Sequence, residues 1–331
     1  MTETMYVLQF MAPGQPEFVK VPVPQPGEDE VLVKVLGIAT CNHWDLHMMH
    51  GQPMFVGSPL QYPGGLGYPG HEAVGEIVAL GSGVQGWTVG TRVASWGGQS
   101  HPVPFSAYAE YNLWTPNSFF AMPSTMEVAM AAPLELAMSV QVAFNRLMEW
   151  DLLVGRRFAV SGLGPAGLIA LQMAKAYGAR EVVGVDPDTT RHALARQLGA
   201  DETIVPDVNV FPANRYASSS FDSAIDCTPN VPRSIEFLMD HSREAVALMG
   251  VLRDDVRYNG RHWGGLSLIG YGSRGPSGGR NRESGAKAWQ LVLDGKLNMA
   301  SMLSHHLPLK QYRQGIEMIE KKVAMKVLFV P

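Results

Sequence analysis

The chain has only two cysteines, Cys41 and Cys227, among 331 residues. Thiols so far apart cannot build a disulfide framework, and they show none of the paired spacings that hold a structural metal. Charge is also scarce: 17% of residues are charged, and the net charge is −4. Such a balance provides no basic surface, so neither nucleic acid nor a membrane is an expected partner. Apolar stretches such as 158–160 and 168–173 are too short to span a bilayer. Residues 1–10 lack the basic-then-apolar pattern of a secretory leader. The expectation is a cytoplasmic protein. Its 46% hydrophobic content suits a folded enzyme with room for two cores.

Glycine and proline, by contrast, are plentiful at 35 and 23 residues, and they are unevenly placed. In the first third they punctuate short alternating stretches. Residues 5–10, 17–23, 30–35, 73–80 and 91–96 read as strands separated by tight turns. That pattern predicts a barrel-like β domain rather than a helical one. Near Met126 the character changes, and residues 127–148, broken only by Pro133, predict one or two buried helices. From Phe158 onward, strands at 158–161, 181–185, 202–205, 221–226, 245–252 and 266–271 are interleaved with helices at 168–177 and 231–240. This is the alternation of a parallel α/β sheet. A Gly/Ser/Arg-rich loop at 272–285 precedes a helix at 286–293, a strand and helix within 307–321, and a last strand at 326–330.

The most informative local unit runs from Phe158 to Asp186. A short strand enters Gly162-Leu163-Gly164-Pro165-Ala166-Gly167, an amphipathic helix follows, and a second strand ends at Asp186. A GxGxxG run carries weight only in this context, with strand before, helix after and an acid about twenty residues on. Gly162 permits the tight turn, Gly164 lets the backbone approach a pyrophosphate, and Gly167 lets helix and strand pack closely. Free N–H groups at the start of the helix then face the phosphates. Asp186 would accept from the adenosine ribose hydroxyls and repel a 2′-phosphate, favouring NAD(H) over NADP(H). Arg191 is the nearby basic group that could accommodate such a phosphate.

Outside that unit, Cys41, His71, Glu72 and Glu135 lie in three separate stretches. Taken singly, Cys41 reads as a small buried hydrophobe and His71 as a satisfied loop histidine. Residues 37–47 (GIATCNHWDLH), residues 69–78 (PGHEAVGEIV) and the glycine-rich unit together resemble the medium-chain dehydrogenase/reductase superfamily, the group of zinc alcohol dehydrogenases and quinone reductases. The resemblance runs along nearly the whole chain. It implies an α/β protein with a GroES-like β-barrel catalytic domain (1–138 and 273–331) and a Rossmann, doubly wound parallel-sheet domain (139–272) for NAD(H). It also implies one catalytic zinc on Cys41, His71 and Glu135, with an open fourth position and Glu72 behind the metal. Ser139 would face the nicotinamide with Ala166 beneath it, and His43 or His47 would pass a proton to solvent. The four-cysteine lobe of many relatives is missing at 95–105, so no structural zinc is expected.

The implied reaction is hydride transfer between NAD(H) and a small alcohol or ketone whose oxygen the zinc polarises. Residues 42–45 (NHWD) also resemble a segment of zinc-free relatives, so an NAD(P)H-dependent enone or quinone reductase is the alternative. An inert cofactor-binding regulatory protein on the same scaffold is the third reading. Met48, Met49, Met54, Phe55, Trp96 and Trp114 are the expected pocket walls. Arg274, Arg280 and Arg282 gather on the 272–285 loop. Pairing of edge strands through 266–271 would make a homodimer or homotetramer.

Overall fold

Alternating apolar and polar residues build the first part of the chain as strands, and the glycines and prolines between them set the corners. The structure is a computed structural model that describes residues 3–55, 57–97, 106–210, 212–272 and 279–331. The elements begin with β1 (Thr4–Ala12), β2 (Gln15–Pro22), β3 (Val31–Ala39), α1 (Asn42–His50), β4 (Glu72–Leu80), β5 (Arg92–Ser95), β6 (Tyr111–Trp114) and β7 (Phe119–Ala121). Next come α2 (Val128–Ala131), α3 (Leu134–Glu149), β8 (Arg157–Ser161), α4 (Pro165–Ala176), β9 (Glu181–Val185), α5 (His192–Gln197) and β10 (Glu202–Ile204). They continue with β11 (Phe221–Asp226), α6 (Pro232–His241), β12 (Ser242–Leu248), α7 (Gly260–Trp263), β13 (Ser267–Ile269) and α8 (Arg282–Leu293). The chain closes with β14 (Leu303–Pro308), α9 (Tyr312–Glu320) and β15 (Lys326–Val330).

Two compact units emerge. The first comprises Met1–Leu136 and Met299–Pro331, the second Ala137–Asn298. In the first, a seven-stranded sheet runs in the order β14-β15-β3-β4-β5-β7 with β6 on β3, and β1 pairs β2 beside it. Its core gathers Phe10, Tyr108, Trp114, Phe119, Tyr312 and Phe329. Helix α1 departs from the all-β expectation. Its residues carry polar groups on every side and bury only Asp45 and Met48, so no apolar stripe announces it. It stops at Gly51, whose φ of 67° and N–H bond to the His47 carbonyl form a left-handed cap.

In the second unit the sheet order is β10-β9-β8-β11-β12-β13, with every pairing parallel. This is the doubly wound order, with its reversal between β8 and β11. Strand β12 ends at Leu248, short of the expected 252. A Cβ on Gly250 would stand 1.9 Å from the Thr228 carbonyl oxygen, so the chain turns closely there. The second boundary between the units also corrects the sequence reading, falling after Asn298 rather than at 272/273. Side-chain bonds explain the shift. Asn145 donates to Ser284 Oγ at 3.0 Å, and the Asn298 N–H donates to Gln172 Oε1 at 2.7 Å. Arg274 lies outside the described residues.

The helical run expected over 127–148 is present and mostly buried. Val128–Glu149 is long and apolar enough to cross a membrane by length and composition, yet 78% of its most apolar window is buried in the protein. That burial is what a core helix requires.

Candidate active site

The glycine turn takes its shape from contacts that only glycine permits. Gly162 has φ 83°, and a Cβ on Gly167 would lie 1.7 Å from the Gly162 carbonyl oxygen. Gly164 caps α4 with no side-chain hydrogen bond, and Pro165 occupies the first turn. The helix N–H groups are thus left for an anion. Gly162, Gly164, Pro165 and Ala166 stay partly exposed, whereas Leu163 and Gly167 are buried. Asp186 is buried beneath this turn. Its Oδ2 accepts from the Leu163 N–H at 2.7 Å, and its Oδ1 accepts from the Asp188 N–H at 2.8 Å. Arg191 approaches Asp186 Oδ2 at 3.5 Å and Asp188 at 3.3 Å. The acid therefore staples the glycine turn to the end of β9 and holds Arg191 beside it.

A second buried acid lies at the strand reversal, and the sequence reading saw only the strand that ends on it. Asp226 is 1% exposed. Its Oδ1 accepts from Thr228 Oγ1 at 2.8 Å and from Ser234 Oγ at 2.6 Å, and Ser234 Oγ lies 2.7 Å from Ser161 Oγ. These hydroxyls tie the end of β11 to the end of β8, immediately before Gly162. Burial raises the Asp226 carboxyl from 3.8 to about 6, against the lowering effect of its hydroxyl partners. A raised folded value means that the unfolded chain releases this proton first. Stability is therefore lost as pH rises from about 4 to 6, by about 1–3 kcal/mol. Asp226→Asn keeps an acceptor for Ser234 and Thr228 and cannot ionise. Its stability advantage over the parent in urea unfolding should grow across that window; a difference constant with pH would contradict this.

The first unit assembles the other group of residues. Strands β3 and β4 pair Ala39 with Glu72, which brings Cys41, just beyond β3, towards His71, just before β4. Donor atoms of Cys41, His71 and Glu72 all lie within 4.8 Å of one another. His71 Nδ1 lies 2.7 Å from the Pro69 carbonyl; a neutral ring donating there would leave Nε2 free to act as a ligand on the side of Glu135. Glu135, in the first turn of α3, places Oε2 at 3.5 Å from His71 Nε2. Gly97 makes room for it, since a Cβ there would sit 2.5 Å from Glu135 Cγ.

Glu72 is closer to this group than a purely supporting acid would be. Its Oε1 accepts from Lys326 Nζ at 2.6 Å, both side chains being 1% exposed, while its buried Oε2 has no hydrogen-bond partner among the described residues. Lys326 also donates to the Thr40 carbonyl. Burial by itself would lower the His71 imidazole, but Cys41 and Glu135, then Glu72, raise it to about 10. Burial likewise pushes the Glu72 carboxyl up, with Lys326 drawing it back. One thiol, one imidazole and two carboxylates around a common space thus favour a cation there. Their chemistry suits zinc, whose usual ligands are thiolate, imidazole and carboxylate.

The other predicted residues have partners of their own. His43 and His47 both lie on α1 with ring centroids 6.3 Å apart, and His47 Nδ1 contacts the Gln52 carbonyl at 2.8 Å. Ser139, in the second unit, accepts from Arg280 Nη1 at 2.8 Å. Trp114 and Trp96 are core rather than pocket wall. Trp114 packs on Phe119, and Trp96 Nε1 donates to the Asn117 carbonyl at 2.8 Å. Phe55 is 47% exposed. The sequence reading assigned no role to Lys326, Tyr108 or Tyr312. Asp45 is fully buried, accepting from Tyr108 at 2.9 Å and Tyr312 at 2.7 Å, which anchors the helix that Cys41 caps.

A dinucleotide turn on a doubly wound sheet and a Cys–His–Glu donor set, partly open to solvent at Cys41 and His71, define a metal-centred oxidoreductase of the dehydrogenase class. Comparison with known proteins agrees. Residues 27–124 match the alcohol dehydrogenase GroES-like domain family, and residues 165–291 match the zinc-binding dehydrogenase family. The chain belongs to the medium-chain dehydrogenase/reductase superfamily, on its zinc alcohol dehydrogenase side. It is similar to an L-threonine 3-dehydrogenase of Stenotrophomonas maltophilia (strain K279a), 28% identical over 341 residues, covering 93% of this chain and 94% of the relative. Among solved structures, 2R,3R-butanediol dehydrogenase from Bacillus subtilis shares the fold with a TM-score of 0.83 at 20% identity, over 99% of each chain. An alcohol dehydrogenase from Escherichia coli CFT073, complexed with NADH, matches with a TM-score of 0.82 at 20% identity, again over 99% of each chain.

Proposed function

We propose that the protein interconverts an alcohol and its ketone or aldehyde with NAD(H), at a single zinc held by Cys41, His71 and Glu135. The observation that carries this reading is the convergence of Cys41, His71 and Glu72 within 4.8 Å, with Glu135 against His71. Held by these residues, a zinc ion would supply Lewis acidity, lowering the pKa of an alcohol and polarising a carbonyl oxygen. The chain's own residues supply the rest. The Pro69 carbonyl lies 2.7 Å from His71 Nδ1, and Lys326 offsets part of the burial that raises the Glu72 carboxyl, which is the fourth donor in reach. The turn at Gly162–Gly167 takes the pyrophosphate, and Asp186 disfavours a 2′-phosphate. Ser139 positions the nicotinamide, and His43 or His47 carries the alcohol proton outward.

The test joins metal analysis to steady-state assays. We expect about one zinc per chain, with NAD+-linked alcohol oxidation lost on chelation and restored by zinc. Turnover of an enone or quinone by metal-depleted protein would favour the zinc-free alternative instead. A larger kcat/KM with NADP+ than with NAD+ would overturn the assignment of Asp186, leaving Arg191 as the phosphate partner.

A further inference from the structure

The ends of β8, β11 and β12 meet at Asp226, a buried acid outside both the metal group and the glycine turn. Asp226 is the last residue of β11 and pairs with Ser161, the last residue of β8, across the strand reversal. Beyond this rung the two strands part. A crevice at such a reversal is where a doubly wound sheet takes its ligand. The Asp226 carbonyl accepts from the Met249 and Gly250 N–H groups at 2.9 and 3.0 Å, which gathers in the chain just past β12. The carboxylate is the hub for the side chains. Its Oδ1 takes the hydroxyls of Thr228 and Ser234 together, and Ser234 reaches on to Ser161.

The direction of these bonds follows from charge. At neutral pH the carboxyl is ionised and can only accept, so Ser234 donates to Asp226 and Ser161 donates to Ser234. The spacings of 2.6 and 2.7 Å are those of a hydroxyl chain that ends on a charged acceptor. Removing that acceptor leaves both serine hydroxyls without a fixed direction.

Thr228 carries the constraint to the glycine turn by packing. A Cβ on Gly162 would stand 2.8 Å from Thr228 Cγ2 and 3.2 Å from the Thr228 nitrogen. The Cys227 N–H, between the acid and Thr228, donates to the Ser161 carbonyl at 2.8 Å. On the β9 side, the Gly162 N–H donates to the Val185 carbonyl at 2.8 Å. The first glycine is thus held between two strand ends, and Asp226 fixes one of them.

We propose that Asp226 is a positioning residue for the dinucleotide: through Ser234 and Thr228 it sets where β8 and β11 part, and so how closely the glycine turn fits the cofactor. This role rests on the reading of Gly162–Gly167 as the nucleotide turn and is independent of the metal centre.

NADH titrations followed by fluorescence, well below the melting temperature of every variant, test it. Asp226→Ala should raise the Kd for NADH at least about ten-fold, with zinc content unchanged. Asp226→Asn keeps an Oδ1 with two lone pairs and should stay within about three-fold of the parent. Ser234→Ala should raise Kd about five-fold, and adding it to Asp226→Ala should cost nothing more, since both act on one chain of bonds. Parent-like affinity in Asp226→Ala overturns the proposal. Equal losses in the Asn and Ala variants would assign the effect to charge, and full additivity with Ser234→Ala would break the chain; either result also overturns it. Should Asp226→Ala fail to fold, Ser234→Ala decides alone, with parent-like affinity again fatal. A parent protein that binds neither NADH nor NADPH sinks the nucleotide reading, and this role with it.

Discussion

His71→Ala is expected to leave a folded protein that binds NAD(H) but no longer retains zinc, with kcat/KM for alcohol oxidation reduced at least about 1,000-fold. The size of the effect follows from where the imidazole stands. Its Nε2 faces both the Cys41 side and Glu135, so its removal leaves thiolate and carboxylates with no neutral ligand between them. A small side chain at a loop position costs little stability, because His71 is not buried in an apolar core. Glu72 is the less clean choice. Without it, Lys326 becomes a cation at 1% exposure with only the Thr40 carbonyl for company, and unfolding would mask the metal chemistry. Zinc content by mass spectrometry and NADH binding by fluorescence together decide the matter. Parent-like zinc occupancy in His71→Ala would remove this residue from the metal site.

Gly167→Ala is the second large effect expected, and it acts on the other unit. The added methyl carbon would stand 1.7 Å from the Gly162 carbonyl oxygen and 2.8 Å from its carbon, both rigid backbone. Helix α4 must therefore move away from β8, opening the phosphate-binding turn. NADH affinity should fall by at least about 100-fold, and Tm by about 5 °C or more, with zinc retained. Gly164→Ala supplies the contrast, because a Cβ there meets only Arg191 Nη1 at 3.7 Å, an ordinary contact. That variant should keep the parent Tm yet bind NADH poorly, since the methyl group occupies the approach of the pyrophosphate. Equal loss of stability in the two variants would mean that the turn tolerates neither and that the roles assigned to the two glycines are wrong.

The contrast between these two predictions reflects how legible each group of residues was in the sequence. The nucleotide turn is local. Strand, turn, helix and acid lie between Arg157 and Asp186, and a contact that fixes the turn, Leu163 to Asp186, stays within that span. The pattern could therefore be read directly, although not that Asp186 would also accept the N–H groups of Leu163 and Asp188. The Cys–His–Glu group is not local. Cys41, His71 and Glu135 were gathered only by resemblance, and nothing in their spacing announced Lys326, which reaches Glu72 across 254 residues. Asp45 meets Tyr312 across 267 residues, and neither residue looks unusual in its own stretch. Helix α1 escaped for a related reason. Its helical state is set by the left-handed cap at Gly51 and by the burial of Asp45 against two tyrosines, not by an apolar stripe.

Residue type and short-range spacing thus sufficed for the cofactor turn, the alternation of strands and helices from Phe158 onward, and the kinds of donor available to a metal. These depend on φ preferences and hydrophobic period, which act over a few residues. Tertiary packing decided which acid stands beside which base, where the second unit ends, and which aromatic rings fill the core. In the first unit those outcomes hang on the registers of β3 with β4 and of β15 with β3, which bring Glu72 and Leu328 opposite Ala39. A one-residue slip in either ladder would turn every one of those side chains to the opposite face, and no stretch of sequence read alone contains that information.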